Sequence, residues 1–249
     1  MLWNGVKYNL SSLGWSVYLQ LGVLSFFLHL FTIQYFKVEQ ENELFAFHNG
    51  WHVEGSIGVL LAVHRLFPYL WFAFVLDSYV EHGLQNRAPS LVARLQSFKV
   101  WMLSHIFAVF LLVFFYTVIM NMIGYFCFAL LGTGSSGTHT GGAWIGLSLL
   151  QVFGLGACSL LQIGIRLLSP VTGSSVLFLL LLYLFNVYAH PIYMLGGHVV
   201  SKSYLTLEGL TQSGFVFIGV QFLFIVACTF GLCFLAQLRK IRLSVGKEL

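Results

Sequence analysis

The sequence predicts an all-α protein that crosses a membrane several times. Of its 249 residues, 58% are apolar and only 8% are charged, whereas soluble domains carry roughly 25% charged residues. Residues 100–165, 167–201 and 209–238 contain no Asp, Glu, Lys or Arg. Apolar stretches of this length are typical of membrane spans. A soluble enzyme, a nucleic-acid-binding module and a disordered chain are therefore excluded, and no nucleic-acid partner is expected.

The apolar segments divide into six predicted spans, because a helix needs about 20 residues to cross a bilayer. Their limits are residues 13–36, 57–76, 100–131, 143–168, 176–193 and 214–238. Together they predict a single transmembrane domain over residues 1–249. The N-terminal stretch has one Lys and no small-residue cleavage site after its apolar run, so we expect it to be retained.

The basic residues predict the orientation of these spans. An even number of spans puts both termini on one side, and nine Lys and Arg residues then lie on that side against two on the other. Because cytoplasmic loops carry the excess of positive charge, both termini of this multi-pass cell-membrane protein are predicted to be cytoplasmic. The nine are Lys7, Arg87, Arg94, Lys99, Arg166, Arg239, Lys240, Arg242 and Lys247, and the two are Lys37 and Lys202.

The longest predicted cytoplasmic loop covers residues 77–99, and a basic tail covers residues 239–249. Within the loop, Pro89 and Ser90 are typical of a helix start, with Ser90 as the N-cap. The apolar residues that follow recur at helical spacing, at Leu91, Val92, Leu95 and Phe98. This pattern predicts a short amphipathic helix at the cytoplasmic face. The alternative is that the segment continues the third span into the interface.

These features resemble the permease subunits of ABC-2-type transporters. The resemblance lies in the six spans, the cytoplasmic termini and an acidic–Gly–Arg–Pro–Ser pattern after the second span. The residues of that pattern are Asp77, Glu81, Gly83, Arg87, Pro89 and Ser90, followed by Lys99. Residues 1–12 are similar to the interfacial elbow helix of this family. The run 154–175 also resembles the family, including its heme-exporter-like branch.

The resemblance implies that the chain is a permease and not an enzyme. The loop between spans two and three would form a coupling helix that docks on a separate ATPase subunit, and a second permease copy or a paralogue would complete the transporter. ATP and Mg would bind the ATPase, and this chain would hold no cofactor. The implied contacts with the ATPase are Glu81, Arg87, Ser90, Leu91, Arg94 and Leu95.

The aromatic-rich and nearly charge-free spans favour export of an amphipathic or hydrophobic substrate, such as a peptide or bacteriocin, a lipid or a drug. Two alternatives remain open. One is a heme-exporter-like permease of cytochrome c biogenesis. The other is a non-transport intramembrane enzyme or assembly factor, although no nucleophile–base arrangement is visible.

Arg65 is the costliest residue in the predicted spans, since an Arg at mid-span costs about 2.5–3.5 kcal/mol on insertion scales. Either it faces a polar cavity or a partner, where it would line the substrate pathway together with His64, or Pro68 breaks the helix and the part before it lies at the outer interface. No Asp or Glu lies deep in any predicted span. This argues against a carrier driven by protons or sodium, which usually needs an intramembrane carboxylate.

The remaining polar residues of the predicted spans are expected to make helix–helix hydrogen bonds. They are His29, His105, Asn121, Gln151, Gln162, Asn186 and His190. His48 and His52, near Glu54, have the spacing of a helical metal site. Their loop context favours solvated side chains, and no metal site is predicted.

Overall fold

The part of the protein that the structure describes is helical apart from one short hairpin. The computed structural model describes residues 2–11, 15–36, 56–83, 97–131, 141–169, 171, 173–188, 205–206 and 209–245. Over these residues the helices are α1 (Leu2–Ser11), α2 (Trp15–Phe36), α3 (Ser56–His82), α4 (Phe98–Leu131), α5 (Gly141–Leu168), α6 (Ser174–Tyr188) and α7 (Gln212–Val245). Strands β1 (Leu205–Thr206) and β2 (Gly209–Leu210) pair antiparallel just before α7. The all-helical fold class is confirmed.

Three helices are long and apolar enough to cross a membrane, judged on the length and composition of the described residues. They are α4, α5 and α7, over Phe98–Cys127, Trp144–Leu168 and Gln212–Leu235. At 1.5 Å per residue, such helices match a hydrocarbon core of about 30 Å. Each of the six predicted spans falls on one helix, from α2 to α7, and residues 2–11 of the N-terminal stretch form α1.

Helix α3 differs from its predicted span in two ways. It runs through Pro68 without a break, so the alternative in which Pro68 ends the helix is wrong. Proline donates no backbone N–H to the helix, but the side chains of Leu66 before it and Tyr69 after it are buried in the core and hold the helix in place. The helix also continues past residue 76 to His82, and therefore includes the first residues of the predicted loop. Helix α6 is described as far as Tyr188, and residues 189–193 of the corresponding predicted span lie outside the described residues.

Helices α3 and α4 pack antiparallel through aromatic contacts. The ring of Phe72 stacks on Tyr116 with centroids 4.8 Å apart. Nearer the C-terminus of α3, Tyr79 stacks on His105, which lies earlier in α4, at 5.0 Å. Trp101, one turn before His105, is fully buried. The end of α3 and the start of α4 are thus at the same end of the bundle.

The next pair, α4 and α5, is also antiparallel. Tyr125 near the end of α4 meets Trp144 near the start of α5, at 5.8 Å between ring centroids. Further along α5, Gly156 lets this helix approach α4, because a Cβ at that position would lie 2.7 Å from Cε1 of Phe110. Small residues that allow helices to approach closely are typical of helix contacts in membranes.

Helix α7 runs parallel to α5. Near its start, Phe217 packs with Leu147 and Leu150, and further along Leu232 approaches Gly164. Since a short turn joins α5 to α6, helices α3 to α7 alternate in direction along the bundle. The hydrophobic core lies mainly among α3, α4, α5 and α6. Most of the apolar surface of α7 faces away from it, through Phe215, Val216, Val220, Phe222, Leu223, Val226, Phe230, Phe234 and Leu238.

Helices α1 and α2 pack against α4. The contact of α2 depends on a glycine: a Cβ at Gly124 would lie 2.6 Å from Nε2 of His29. The His29 ring is buried, and its Nδ1 lies 2.7 Å from the carbonyl oxygen of Ser25 in its own helix. The absence of a side chain at Gly124 therefore makes room for this histidine.

Candidate functional site

A buried ion-pair cluster lies where the predicted coupling loop leaves the bundle. Asp77 and Glu81 are four residues apart on α3, so both carboxylates lie on one face of the last turns of that helix. The cation between them is Arg166, in the last turn of α5. Arg166 Nε lies 3.3 Å from Asp77 Oδ1, and its Nη2 lies 2.8 Å from Glu81 Oε2.

The third nitrogen of the Arg166 guanidinium reaches the turn between α5 and α6. Nη1 donates to the carbonyl oxygen of Val171 over 2.9 Å. This turn needs a glycine, because Gly173 has φ +80°, a value that L side chains rarely adopt. One guanidinium thus contacts α3, α5 and the turn that starts α6, using the fork of donors that distinguishes Arg from Lys.

Asp77 makes a parallel set of contacts from the other side. Its Oδ1 accepts a short hydrogen bond from the hydroxyl of Ser175 in the first turn of α6, and its Oδ2 accepts one from the backbone N–H of Gly173 over 3.4 Å. One turn further from this end of the bundle, Gln162 Nε2 donates to the carbonyl oxygen of Ala73 over 2.7 Å. Helices α3, α5 and α6 are therefore tied together at this end.

The Asp77–Arg166 pair is almost completely removed from water. The Arg166 side chain is 3% exposed and that of Asp77 7%, whereas Glu81 is 27% exposed. Charges buried in this way cost solvation energy and persist only when paired and hydrogen-bonded. Both carboxylate oxygens of Asp77 have partners, which are Arg166, Ser175 and the backbone N–H of Gly173.

An aromatic stack continues the cluster to α4. The His105 ring lies between Tyr79, at 5.0 Å and nearly parallel, and Trp101, at 5.7 Å. Gly83, the last described residue of the α3 end, lies against the same ring, because a Cβ there would be 3.1 Å from Cε1 of His105. Both flanks of the predicted coupling loop are thus fixed to the bundle, α3 by charges and α4 by stacked rings.

A second polar layer lies deeper in the bundle. Asn121 on α4 donates from Nδ2 to Ser148 Oγ over 2.8 Å and to Gln151 Oε1 over 2.9 Å. Gln151 in turn donates to the hydroxyl of Tyr69 on α3 over 3.1 Å. The expected hydrogen bonds between helices are confirmed for Asn121, Gln151 and Gln162.

The predicted site residues fall into three groups. Glu81 takes part in the ion-pair cluster. For His64 and Arg65 the structure shows the backbone within α3, and their side chains lie outside its described part. The remaining predicted contacts with an ATPase lie outside the described residues altogether: Arg87, Ser90, Leu91, Arg94 and Leu95.

Sequence reasoning missed Arg166 and Ser175 as site residues. The charge pattern of the sequence identifies Arg166 only as one of the predicted cytoplasmic cations, although it is the one charged residue between Lys99 and Lys202. An isolated charge in a long apolar segment normally has a partner, and Asp77 with Glu81 offered one at helical spacing. No signal in the sequence marks Ser175, because its role depends on how the α5–α6 turn folds.

No family model, no curated protein and no solved structure matches the chain. Among the described residues, no group of three His, Cys, Asp or Glu side chains is placed to hold a metal ion.

Proposed function

We propose that this chain is the membrane-spanning subunit of an ATP-driven transporter of the ABC-2 permease type, with ATP hydrolysis in a separate subunit. The proposal is carried by one observation, the buried junction of Asp77, Glu81 and Arg166 at the point where α3 enters the predicted coupling loop. A loop that only connected two spans would not need such an anchor.

The junction gives the loop a route into the bundle. A force applied to residues 84–96 reaches α3 directly, and the ion pairs pass it to the end of α5 and the start of α6. On the other side of the loop, Trp101 and His105 pass it to α4. Switching between access states requires rigid elements that move together, and this arrangement joins four helices at one end.

The distribution of carboxylates supports an external source of energy. Glu81 and Glu208 are consecutive acidic residues in the sequence, so α4, α5 and α6 contain none, and the buried carboxylate of α3, Asp77, is paired with Arg166. Carriers driven by ion gradients usually hold an intramembrane carboxylate. Movement driven by a bound ATPase needs no such group.

The alternating helices fit the topology that the proposal requires. Helices α3 to α7 would provide five crossings in alternating directions and α2 the sixth, with both termini in the cytoplasm and α1 as the interfacial elbow. The junction brings together ends of α3 and α5 that the basic residues assign to the same side. A second permease copy or a paralogue would complete the translocation path, and the outward apolar face of α7 leaves room for either one or for lipid.

The proposed substrate is amphipathic or hydrophobic, such as a peptide or bacteriocin, a lipid or a drug, and the direction is export. Support comes from the composition of the helices, which are rich in aromatic and aliphatic side chains and carry, between Lys99 and Lys202, the single charged residue Arg166.

Co-purification tests the proposal. The tagged chain, expressed from its native gene neighbourhood, should retain an ATPase subunit whose hydrolysis responds to reconstitution with the permease. Leu91→Asp and Arg94→Glu should each weaken this association, because a small docking contact depends on few central residues. Gln237→Glu, an exposed position on α7, is a control outside the loop. If no ATPase accompanies the wild-type chain, the transporter assignment fails, and the heme-exporter-like and non-transport alternatives have to be tested by activity.

A further inference from the structure

Helix α1 packs one face on the bundle and turns an aromatic face outward. Val6 and Asn9 are buried, and Asn9 Nδ2 donates to Ser104 Oγ on α4 over 3.4 Å. On the other face, Trp3 is 59% and Tyr8 44% exposed. Trp and Tyr side chains that are apolar at one end and polar at the other are typical of the headgroup region of a bilayer.

A cation accompanies these rings. Lys7 is exposed on α1, one turn after Trp3, and its Nζ lies 6.0 Å from the centre of the Trp3 ring. A lysine in this setting can keep its stem along the apolar surface and place its ammonium group in the headgroup layer.

A second exposed cation lies at the same end of the bundle. Lys99 is in the first turn of α4, five residues before Ser104, which is about 7.5 Å along the helix axis. The helix that carries Lys99 packs against both α1 and α7. Helix α7 continues past Cys233 to Val245 and carries further cations on its last turns, at Arg239, Lys240 and Arg242.

No carboxylate on these helices balances their charge. The sequences of α1, α4 and α7 contain no Asp or Glu. At this end of the described structure, the carboxylates of Asp77 and Glu81 are held by Arg166. The surface formed by α1, the start of α4 and the end of α7 is therefore cationic, and its natural complement is an anion.

We propose that this surface, defined by Trp3, Lys7, Tyr8 and Lys99, binds the anionic headgroups of phospholipids such as phosphatidylglycerol. The ammonium groups of Lys7 and Lys99 donate to the phosphodiester oxygens, and the two aromatic rings lie at the level of the headgroups. Acyl chains pack against the exposed apolar side chains on the last turns of α7, which include Phe230, Phe234 and Leu238. This proposal depends on the membrane placement of the bundle and not on its transport activity.

A lipid titration of the purified full-length chain tests the proposal. In neutral detergent, short-chain phosphatidylglycerol should raise the Tm at lower concentration than short-chain phosphatidylcholine, and added salt should weaken the difference. Because a Lys near an anionic surface contributes on the order of 1 kcal/mol, Lys7→Gln and Lys99→Gln should each weaken apparent binding about fivefold, and the double variant about thirtyfold. Lys7→Arg and Lys99→Arg should bind nearly as the wild type does.

Matched controls separate this surface from a general charge effect. Lys37→Gln and Lys202→Gln, which the basic residues predict to lie on the opposite side of the membrane, should leave phosphatidylglycerol binding unchanged. Equal shifts from the two lipids, or wild-type binding by the Lys7→Gln, Lys99→Gln double variant, would overturn the proposal. A shift reproduced by inorganic phosphate would indicate a free-anion site instead. If the Lys7→Gln, Lys99→Gln double variant lost a co-purifying ATPase and kept its lipid response, the surface would belong to a protein partner. This result and the phosphate result would each count against a lipid site.

Discussion

Arg166 at the end of α5 and Glu81 at the end of α3 are joined by an ion pair of 2.8 Å between Nη2 and Oε2. The same guanidinium contacts the more deeply buried Asp77. This one side chain therefore links the ends of two helices in a bundle whose core is mainly apolar. It pairs with both carboxylates of the part of α3 that extends beyond the predicted limit.

Arg166→Gln should strongly destabilise the protein. Removing one partner of a buried ion pair leaves an uncompensated charge, which typically costs about 3–5 kcal/mol. Here that charge is the carboxylate of Asp77. The free energy of unfolding in mixed micelles, followed by circular dichroism, measures the loss. Glu81→Gln should cost less, because Glu81 is partly exposed to water. Equal costs for the two variants would show that the depth of burial does not determine the stability of the cluster.

Gly124→Ala should also destabilise, by interfering with the packing of α2 on α4. The new methyl group would lie 2.6 Å from Nε2 of His29, and overpacking of this kind typically costs about 1–3 kcal/mol. Gly219→Ala is the matched control, since Gly219 is helical with open space around it and alanine is the better helix former by up to about 1 kcal/mol. The same unfolding assay should show opposite signs for the two. A stabilising Gly124→Ala would mean that the His29 ring moves aside freely.

Single-cysteine labelling should show residue 137 on the outer face of the cell membrane and residues 94 and 247 on the cytoplasmic face. The reason is the excess of basic residues on the side of the termini. The measurement uses a membrane-impermeant maleimide on whole cells, in a background in which Cys127, Cys158, Cys228 and Cys233 are replaced. Labelling of residue 94 from outside would reverse the orientation and remove the predicted loop from reach of a cytoplasmic ATPase.

Arg65→Ala should leave folding nearly intact and reduce transport if Arg65 faces a polar pathway, whereas Arg65→Leu should fold at least as well and also lose transport. Both follow from the cost of an Arg inside a span. Transport into proteoliposomes, compared with the unfolding free energy of each variant, separates the two effects. Wild-type transport by both variants would take Arg65 off the substrate pathway.

The sequence predicts helices better than it predicts their contacts. Hydropathy located α2 to α7, because long apolar segments are set by the thickness of a bilayer. It could not show which faces meet, since these helices are apolar all round and carry no stripe that points to the core. Asp77 illustrates the limit: as an acidic residue after an apolar run it resembles the start of a loop, whereas in the structure it is helical and buried beside Arg166, which is far away in the chain.

Pro68 lies inside α3 at the point where Tyr116 of α4 contacts the backbone of that helix. Proline supplies no N–H for the turn before it, while its carbonyl oxygen accepts a hydrogen bond from the hydroxyl of Tyr116 over 2.9 Å. Tyr116 therefore ties α3 to α4 at the turn where the helix lacks one of its own hydrogen bonds. Together with Arg166 near the end of the helix, it gives α3 two polar attachments, one to α4 and one to α5. A movement of α3 would have to carry both neighbouring helices with it or break one of these contacts.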